Sequence, residues 1–295
     1  MNEFRTYHPL VNFIYFVAVI GFSCFFMHPV CLGISFAGAF TYSLVLGGRT
    51  AFKKNVLYML PVVAIAALMN PMFNHQGATI LSYLPSGNPL TLESIVYGFV
   101  AAIMIVTVIC WFFCYNEVMT SDKFIYLFGK VIPSLSLIFS MTLRFVPRFL
   151  HQTKLVANSQ RCIGRDMSEG GIVKRAKNGL SILSIIVTWA LENSIETADS
   201  MRSRGYGLPG RTAFSIFKFS KRDVIALICI AMSSSYVLIG GTLGAVNFEY
   251  FPSMIGKETS VFGITVYIAY FALCVMPIII ELKEVCKWKA IKSVI

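Results

Sequence analysis

LESIVYGFVAAIMIVTVICWFFC fills residues 92–114, and its only charged residue, Glu93, lies near one end. A helix needs about 20 mostly apolar residues to cross the hydrocarbon of a bilayer, and this run exceeds that. Comparable runs occupy residues 10–27, 30–46, 56–69, 224–246 and 261–280. Pro29 separates the first two by disfavouring helix at His28, and Pro61 lies inside the short third run. Composition agrees: 56% of the 295 residues are hydrophobic and 13% are charged, where a soluble domain carries about a quarter charged residues. The expected fold class is all-α, a polytopic membrane helix bundle of about six spans with a cytoplasmic helical coupling region.

The charge pattern orients the spans. The formal net charge of +11 could point to nucleic acid or to an anionic surface. Its distribution points to the membrane, because basic residues collect in cytoplasmic loops. With the N-terminus inside, the short basic loop of Arg49, Lys53 and Lys54 falls inside. The segment 71–89, without Lys or Arg, is read as an outside loop. Residues 116–222 fall inside, 247–260 outside, and the tail with Lys283, Lys287, Lys289 and Lys292 inside. The reading is a multi-pass protein of the cell (cytoplasmic) membrane, both termini cytoplasmic, contacting membrane lipid and no nucleic acid. It divides as 1–115, N-terminal spans; 116–222, coupling helices; 223–295, C-terminal spans and basic tail. No cleavable signal peptide is expected, since the first run is long and its leader carries only Arg5.

The eight cysteines have no zinc-site spacing, and those in apolar runs, including Cys110 and Cys114 on one helix face, read as free buried thiols. His8, His28, His75 and His151 are scattered and read as structural or interfacial. No Gly-x4-Gly-Lys-Ser/Thr loop occurs, so ATP hydrolysis by that route is excluded. No nucleophile–base constellation is visible, and neither a metal nor a cofactor is expected. Acids and bases are nearly absent from the spans, whereas proton-coupled carriers place one there.

Residues 144–222 hold 14 of the 25 Lys and Arg residues against five acidic ones. The apolar stretch before them, 124–145, would invert the later topology if it spanned alone, so it reads as helix lying against the membrane or on the bundle. Lys154, Asn158, Arg161 and Arg165 then recur at helical spacing as a basic stripe, ended by Gly164 and Gly170-Gly171. A second amphipathic helix carries Leu180, Leu183, Val187, Ala190, Ser194, Ala198 and Met201 in steps of three or four and runs to about Arg204. Its small residues Ala190, Ser194 and Ala198 suit close packing on another helix, expected to be the one with Lys154 to Arg165. Gly205 and Gly207 stop it. Arg202 and Arg204 thus occupy a last turn, where the helix dipole favours a cation. The guanidinium at such a tip suits either an acidic groove on a partner or an anionic lipid headgroup.

The stretch Ala198-Asp-Ser-Met-Arg-Ser-Arg-Gly-Tyr206 resembles the second signature of energy-coupling factor T components, the CbiQ-like family, matching at Ser203-Arg204-Gly205-Tyr206. The first signature of that family is similar to Ser159-Gln160-Arg161-Cys162-Ile163-Gly164-Arg165-Asp166. Gln160 and Gly164 fit, Ile163 stands where the family has its arginine, and Arg161 or Arg165 is left to stand in. The opening Tyr7-His8-Pro9-Leu10-Val11-Asn12-Phe13 also looks like the family's start. The resemblance implies a non-catalytic transporter subunit of an ABC importer. Two ABC-type ATPases would grip the coupling motifs, and a membrane substrate-capture (S) subunit would bring a vitamin or metal ion. Arg161, Cys162, Ile163, Gly164 and Arg165 would serve one coupling tip and Ser203, Arg204 and Gly205 the other. The competing readings are a self-contained carrier or channel with a basic cytoplasmic domain, and a membrane enzyme gripping lipid phosphate with Arg144, Arg148 and Arg161.

Overall fold

The computed structural model describes residues 3–83, 88–129, 132–166, 168, 170–208, 217–256 and 260–292. Eight α-helices follow a short 3-10 turn at Phe4–Thr6: α1 (Pro9–Phe25), α2 (Pro29–Phe73), α3 (Leu92–Val118), α4 (Ser121–Gly129), α5 (Pro133–Cys162), α6 (Ile172–Ser203), α7 (Lys221–Thr242) and α8 (Val261–Lys292). Two small antiparallel ribbons complete it, β1 (Ile80–Tyr83) with β2 (Pro89–Thr91) and β3 (Phe248–Glu249) with β4 (Ile255–Gly256). The protein is an all-α polytopic membrane protein. Among the described residues, five helical segments are long and apolar enough to cross a bilayer: Pro29–Gly48, Asn55–Phe73, Leu92–Val118, Lys221–Thr242 and Val261–Trp288. The apolar α1 is shorter, at 17 residues.

The chain divides into two units, Met1–Phe124 with Phe217–Ile295, and Ile125–Ile216. The first and last thirds therefore form one body, and the change of unit falls inside α4.

In the first unit, α1 and α2 open alike. His8 and His28 are N-caps whose Nδ1 accepts from the N–H two residues on, each at 3.2 Å, and a proline follows at the first helical position. These two histidines are structural, as expected. The anticipated loop around Arg49, Lys53 and Lys54 is instead helix. α2 passes through it and breaks direction only at Gly48 (φ 57°, ψ −145°), a conformation open to glycine. The segment 71–89 is likewise shorter as a loop than expected, because α2 reaches Phe73 and β1–β2 form a ribbon beyond it.

The core of this unit is built on α1. Val11, Tyr15, Phe16, Val19 and Phe22 are buried with Tyr42, Trp111, Tyr270 and Cys274 from α2, α3 and α8. A buried hydroxyl chain ties the four helices. Trp111 Nε1 donates to Ser35 Oγ at 3.0 Å, Ser35 and Ser23 share a hydrogen bond of 2.6 Å, and Ser23 meets Tyr270 Oη at 3.3 Å. Such bonds hold helices together where lipid gives no hydrophobic drive. Of the thiols in apolar runs, Cys31, Cys110, Cys114 and Cys274 are buried, while Cys24 and Cys229 are exposed. Glu93 is a buried carboxylate at the N-terminus of α3 that accepts from Thr79 Oγ1 at 2.7 Å, a favourable end of the helix for negative charge.

The N-terminal segment fastens the charged ends of the helices. The buried Glu281 of α8 accepts the backbone N–H groups of Glu3 and Phe4 at 3.0 and 3.1 Å. Arg222 pairs with Glu3 at 2.6 Å, and Asp223 accepts from His8 N at 3.1 Å while closing a capping box with Ser220. Lys123, also buried, donates to Val118 O at 3.2 Å and to Arg5 O.

In the second unit the stretch 124–145 is not one helix. It covers the end of α4 and the start of α5, which begins at Pro133 after an extended Ile132 (φ −133°, ψ 85°). α5 then continues through the basic stripe to Cys162, so the later part of the apolar stretch and the stripe share one 30-residue helix. α6 starts at Ile172, eight residues before the first apolar position seen in the sequence, and has 32 residues.

Candidate functional site

The two motif stretches fold into the same helix end. α5 stops at Cys162, with Ile163 at the C-cap (φ −98°, ψ 19°) and Gly164 left-handed at φ 76°. Arg165 N–H then donates to Gln160 O at 3.0 Å and Gly164 N–H to Arg161 O at 3.0 Å. α6 stops at Ser203, with Arg204 at the C-cap (φ −86°, ψ 10°) and Gly205 at φ 81°. Tyr206 N–H donates to Met201 O and Gly205 N–H to Arg202 O, both at 3.0 Å. Each is a Schellman cap, in which the left-handed glycine lets the next two N–H groups satisfy orphan carbonyls. The caps align residue for residue: Ile163 on Arg204, Arg161 on Arg202, Gly164 on Gly205. Gly164 is required by its positive φ and not by crowding, since a Cβ there would meet nothing within 4 Å, whereas one on Gly205 would also come within 3.2 Å of Leu208 Cδ1. The cap alone is not diagnostic, because α7 ends the same way at Gly244 (φ 72°).

What differs is the side chain delivered at each tip. Arg161, Cys162, Ile163, Gly164, Arg165, Ser203 and Arg204 are exposed, and Gly205 is half-buried. Arg204 carries its guanidinium at the C-cap of α6, where Ile163, 63% exposed, offers an apolar one on α5. Arg161 turns back, its Nε 3.1 Å from Asp166 Oδ2. Asn178 of α6 donates to Asp166 O at 2.8 Å and so closes the turn between the helices.

The helices run antiparallel through that turn, so the two caps stand at opposite ends of the pair. Arg204 shares a cleft with Met141, Arg144, Phe145 and Arg148 of α5. Ile163 lies 15 to 22 residues further along, on the order of 30 Å at 1.5 Å per residue. Asn178 and Ile182 of α6 are buried, and Trp189, Asn193 and Thr197 half-buried, on the side facing α5. The small face expected to make this contact lies beside it. Ala190 is half-buried and Ser194 and Ala198 are exposed, because each sits one residue, and so 100° of helix rotation, past Trp189, Asn193 and Thr197.

Pairing α5 with α6 brings Arg144 and Arg148 to Arg204, not to Arg161 as the lipid-enzyme reading required. Arg148 lies 5.4 Å over the ring of Trp189, which Phe149 meets edge-on at 5.6 Å. This grouping was missed because more than fifty residues of sequence separate the arginines and only the hairpin unites them. Among the described residues no cluster of His, Cys, Asp and Glu could hold a metal ion.

Residues 4–214 match the family model CbiQ, described as cobalt transport protein. The relatives the chain matches include proteins named energy-coupling factor transporter transmembrane protein EcfT. That of Lactobacillus helveticus is 36% identical over 114 residues, 38% of this chain and 41% of the relative. That of Lactococcus lactis subsp. cremoris is 29% identical over 109 residues, 37% and 41% of the two chains. That of Clostridium kluyveri is 33% identical over 101 residues, 33% and 37% of the two chains. The chain thus spans about two fifths of the length of the curated relatives it matches. The match to the family model covers both glycine-capped helix ends and more than two thirds of the chain, and by it the chain belongs to the CbiQ family.

Proposed function

We propose that the chain is the transmembrane scaffold and energy-coupling subunit of an energy-coupling factor type ABC importer. It joins two ABC-type ATPases to a membrane S subunit that captures a vitamin or metal ion. Both termini and the α5–α6 hairpin lie on the cytoplasmic side, where the basic residues concentrate. The subunit performs no chemistry itself; the ATPases hydrolyse nucleotide and move the helix tips, and α5 and α6 carry that motion to the S subunit.

The observation that carries this reading is the pair of matched caps at opposite ends of two long helices, one presenting Arg204. A Schellman cap fixes the backbone at the tip, so force applied to the Arg204 guanidinium is borne by a 32-residue helix rather than by a loose loop. A planar guanidinium pairs a carboxylate through two parallel hydrogen bonds. At the α5 tip the arginine is missing, and Arg161 and Arg165 flank an apolar Ile163 that suits the greasy wall of a partner groove. The names of the relatives support the assignment.

The test is purification of the tagged chain from its own membranes under mild detergent, with the accompanying proteins identified and counted. Two ABC ATPase chains and a small, apolar membrane protein are expected with each copy. Recovery of the chain alone, from a preparation that still supports uptake, would overturn the proposal.

A further inference from the structure

The cleft between α5 and α6 holds more positive charge than the coupling tip accounts for. Arg144 and Arg148 of α5 and Arg204 of α6 line one space of about 450 Å³, with Glu196 as its only acid. Among the described residues no ion pair neutralises any of the three arginines. Like charges gathered in one cleft repel unless an anion joins them, and exposed arginines left to themselves spread into solvent. Arg148 is held instead. Its guanidinium lies 5.4 Å over Trp189, and a stacked guanidinium keeps its in-plane N–H donors for a ligand at its edge. Two of the neutral donors in the lining are engaged within α6: Asn193 Nδ2 donates to Trp189 O at 3.1 Å and Thr197 Oγ1 to Asn193 O at 2.7 Å.

We propose that this cleft binds a phosphate group, supplied by the headgroup of an anionic phospholipid or by free phosphate, between Arg144, Arg148 and Arg204. One fork already satisfies the two oxygens of a carboxylate, whereas three guanidiniums suit the larger oxygen set of a phosphate. The cleft is too small for a folded partner. Met141, Phe145 and Met201 in its lining offer apolar contact to the glycerol and acyl stem behind a headgroup. An anion here neutralises the group beside Arg204 and so sets the charge of the α6 tip. The site goes beyond the coupling reading, and its test uses Arg144 and Arg148, which that reading does not.

The experiment titrates the full chain in a neutral detergent with dihexanoyl phosphatidylglycerol, dihexanoyl phosphatidylcholine, inorganic phosphate and a tetraglutamate peptide. Binding is followed by tryptophan fluorescence, to which Trp189 contributes, and by native mass spectrometry. Saturable binding of phosphatidylglycerol, alone or with phosphate, is expected; the first result assigns the site to lipid and the second to any phosphate. Arg144→Gln with Arg148→Gln should weaken it on the order of 100-fold, about tenfold per guanidinium removed. Glu196→Gln should tighten it several-fold, a gain that a misfolded chain cannot give. Lys174→Gln with Lys177→Gln, removing equal charge from exposed positions at the start of α6, should bind as the wild type does. Equal affinity in the wild type and the Arg144/Arg148 variant, an equal loss in the Lys174/Lys177 control, or tighter binding of the glutamate peptide would overturn the site.

Discussion

Replacing Arg204 by alanine separates the proposed coupling role of the α6 tip from its folding. The cap itself is built from backbone: Gly205 N–H to Arg202 O and Tyr206 N–H to Met201 O, both at 3.0 Å. None of these atoms belongs to the Arg204 side chain, which is exposed, so the fold should lose only the helix-dipole contribution, about 0.3–1 kcal/mol. In the proposed ATPase groove the same side chain would face a carboxylate, and removing one partner of a buried pair costs about 3–5 kcal/mol. At 1.4 kcal/mol per decade this would weaken the proposed ATPase contact about 140- to 3,700-fold. Arg204→Ala should therefore abolish substrate uptake and release one ATPase, while the thermal transition of the chain hardly moves. Arg204→Lys should recover part, since the charge stays and the planar fork goes. Arg202→Ala, one turn position inside the cap, should matter far less. The assay is uptake and ATPase pull-down at matched expression. Equal, mild losses at Arg202 and Arg204 would refute the reasoning and leave the α6 tip without a coupling role.

Two further outcomes follow from the membrane unit. A Cβ added at Gly240 of α7 would come within 2.5 Å of Val266 Cγ2 and 2.9 Å of Cγ1 on α8, so Gly240→Ala should destabilise the bundle by about 1–3 kcal/mol, read as a lowered thermal transition in detergent; an unchanged transition would show that α7 and α8 do not approach this closely. In a background where the exposed Cys24, Cys162, Cys229 and Cys286 are replaced, a cysteine at Ser168 should resist an impermeant thiol reagent in intact cells and one at Ser82 in β1 should react; the reverse pattern would invert the topology.

The spans were legible in the sequence because bilayer solvation imposes a long apolar run on each, and such a run needs no tertiary information. The helix ends were legible too, since Gly164 and Gly205 mark left-handed residues in any context. Three features were not. The Gly47-Gly48 pair suggested a loop, yet residues 49–54 hold no proline, and a single residue, Gly48, supplies the change of direction. The stretch 124–145 was read as one helix although Gly129, Lys130 and Pro133 mark its break. The small stripe Ala190, Ser194 and Ala198 was read as the contact face of α6, but the wall against α5 is the neighbouring one with Asn178, Ile182 and Trp189. A polar, aromatic contact face carries a weaker hydrophobic signal than the apolar face beside it. The gathering of Arg144, Arg148 and Arg204 depends on the antiparallel pairing of two helices, which periodicity along either one does not report.

The central claim is that both helix tips seat in ATPase subunits, and photo-crosslinking reads it most directly. p-Benzoylphenylalanine placed at Cys162 and at Ser203, the last residues of α5 and α6, should on irradiation in membranes each capture an ABC ATPase chain. The same group at Lys177, on the exposed start of α6, should capture none. Crosslinks from Ser203 to lipid alone, with no ATPase at either tip, would contradict the account.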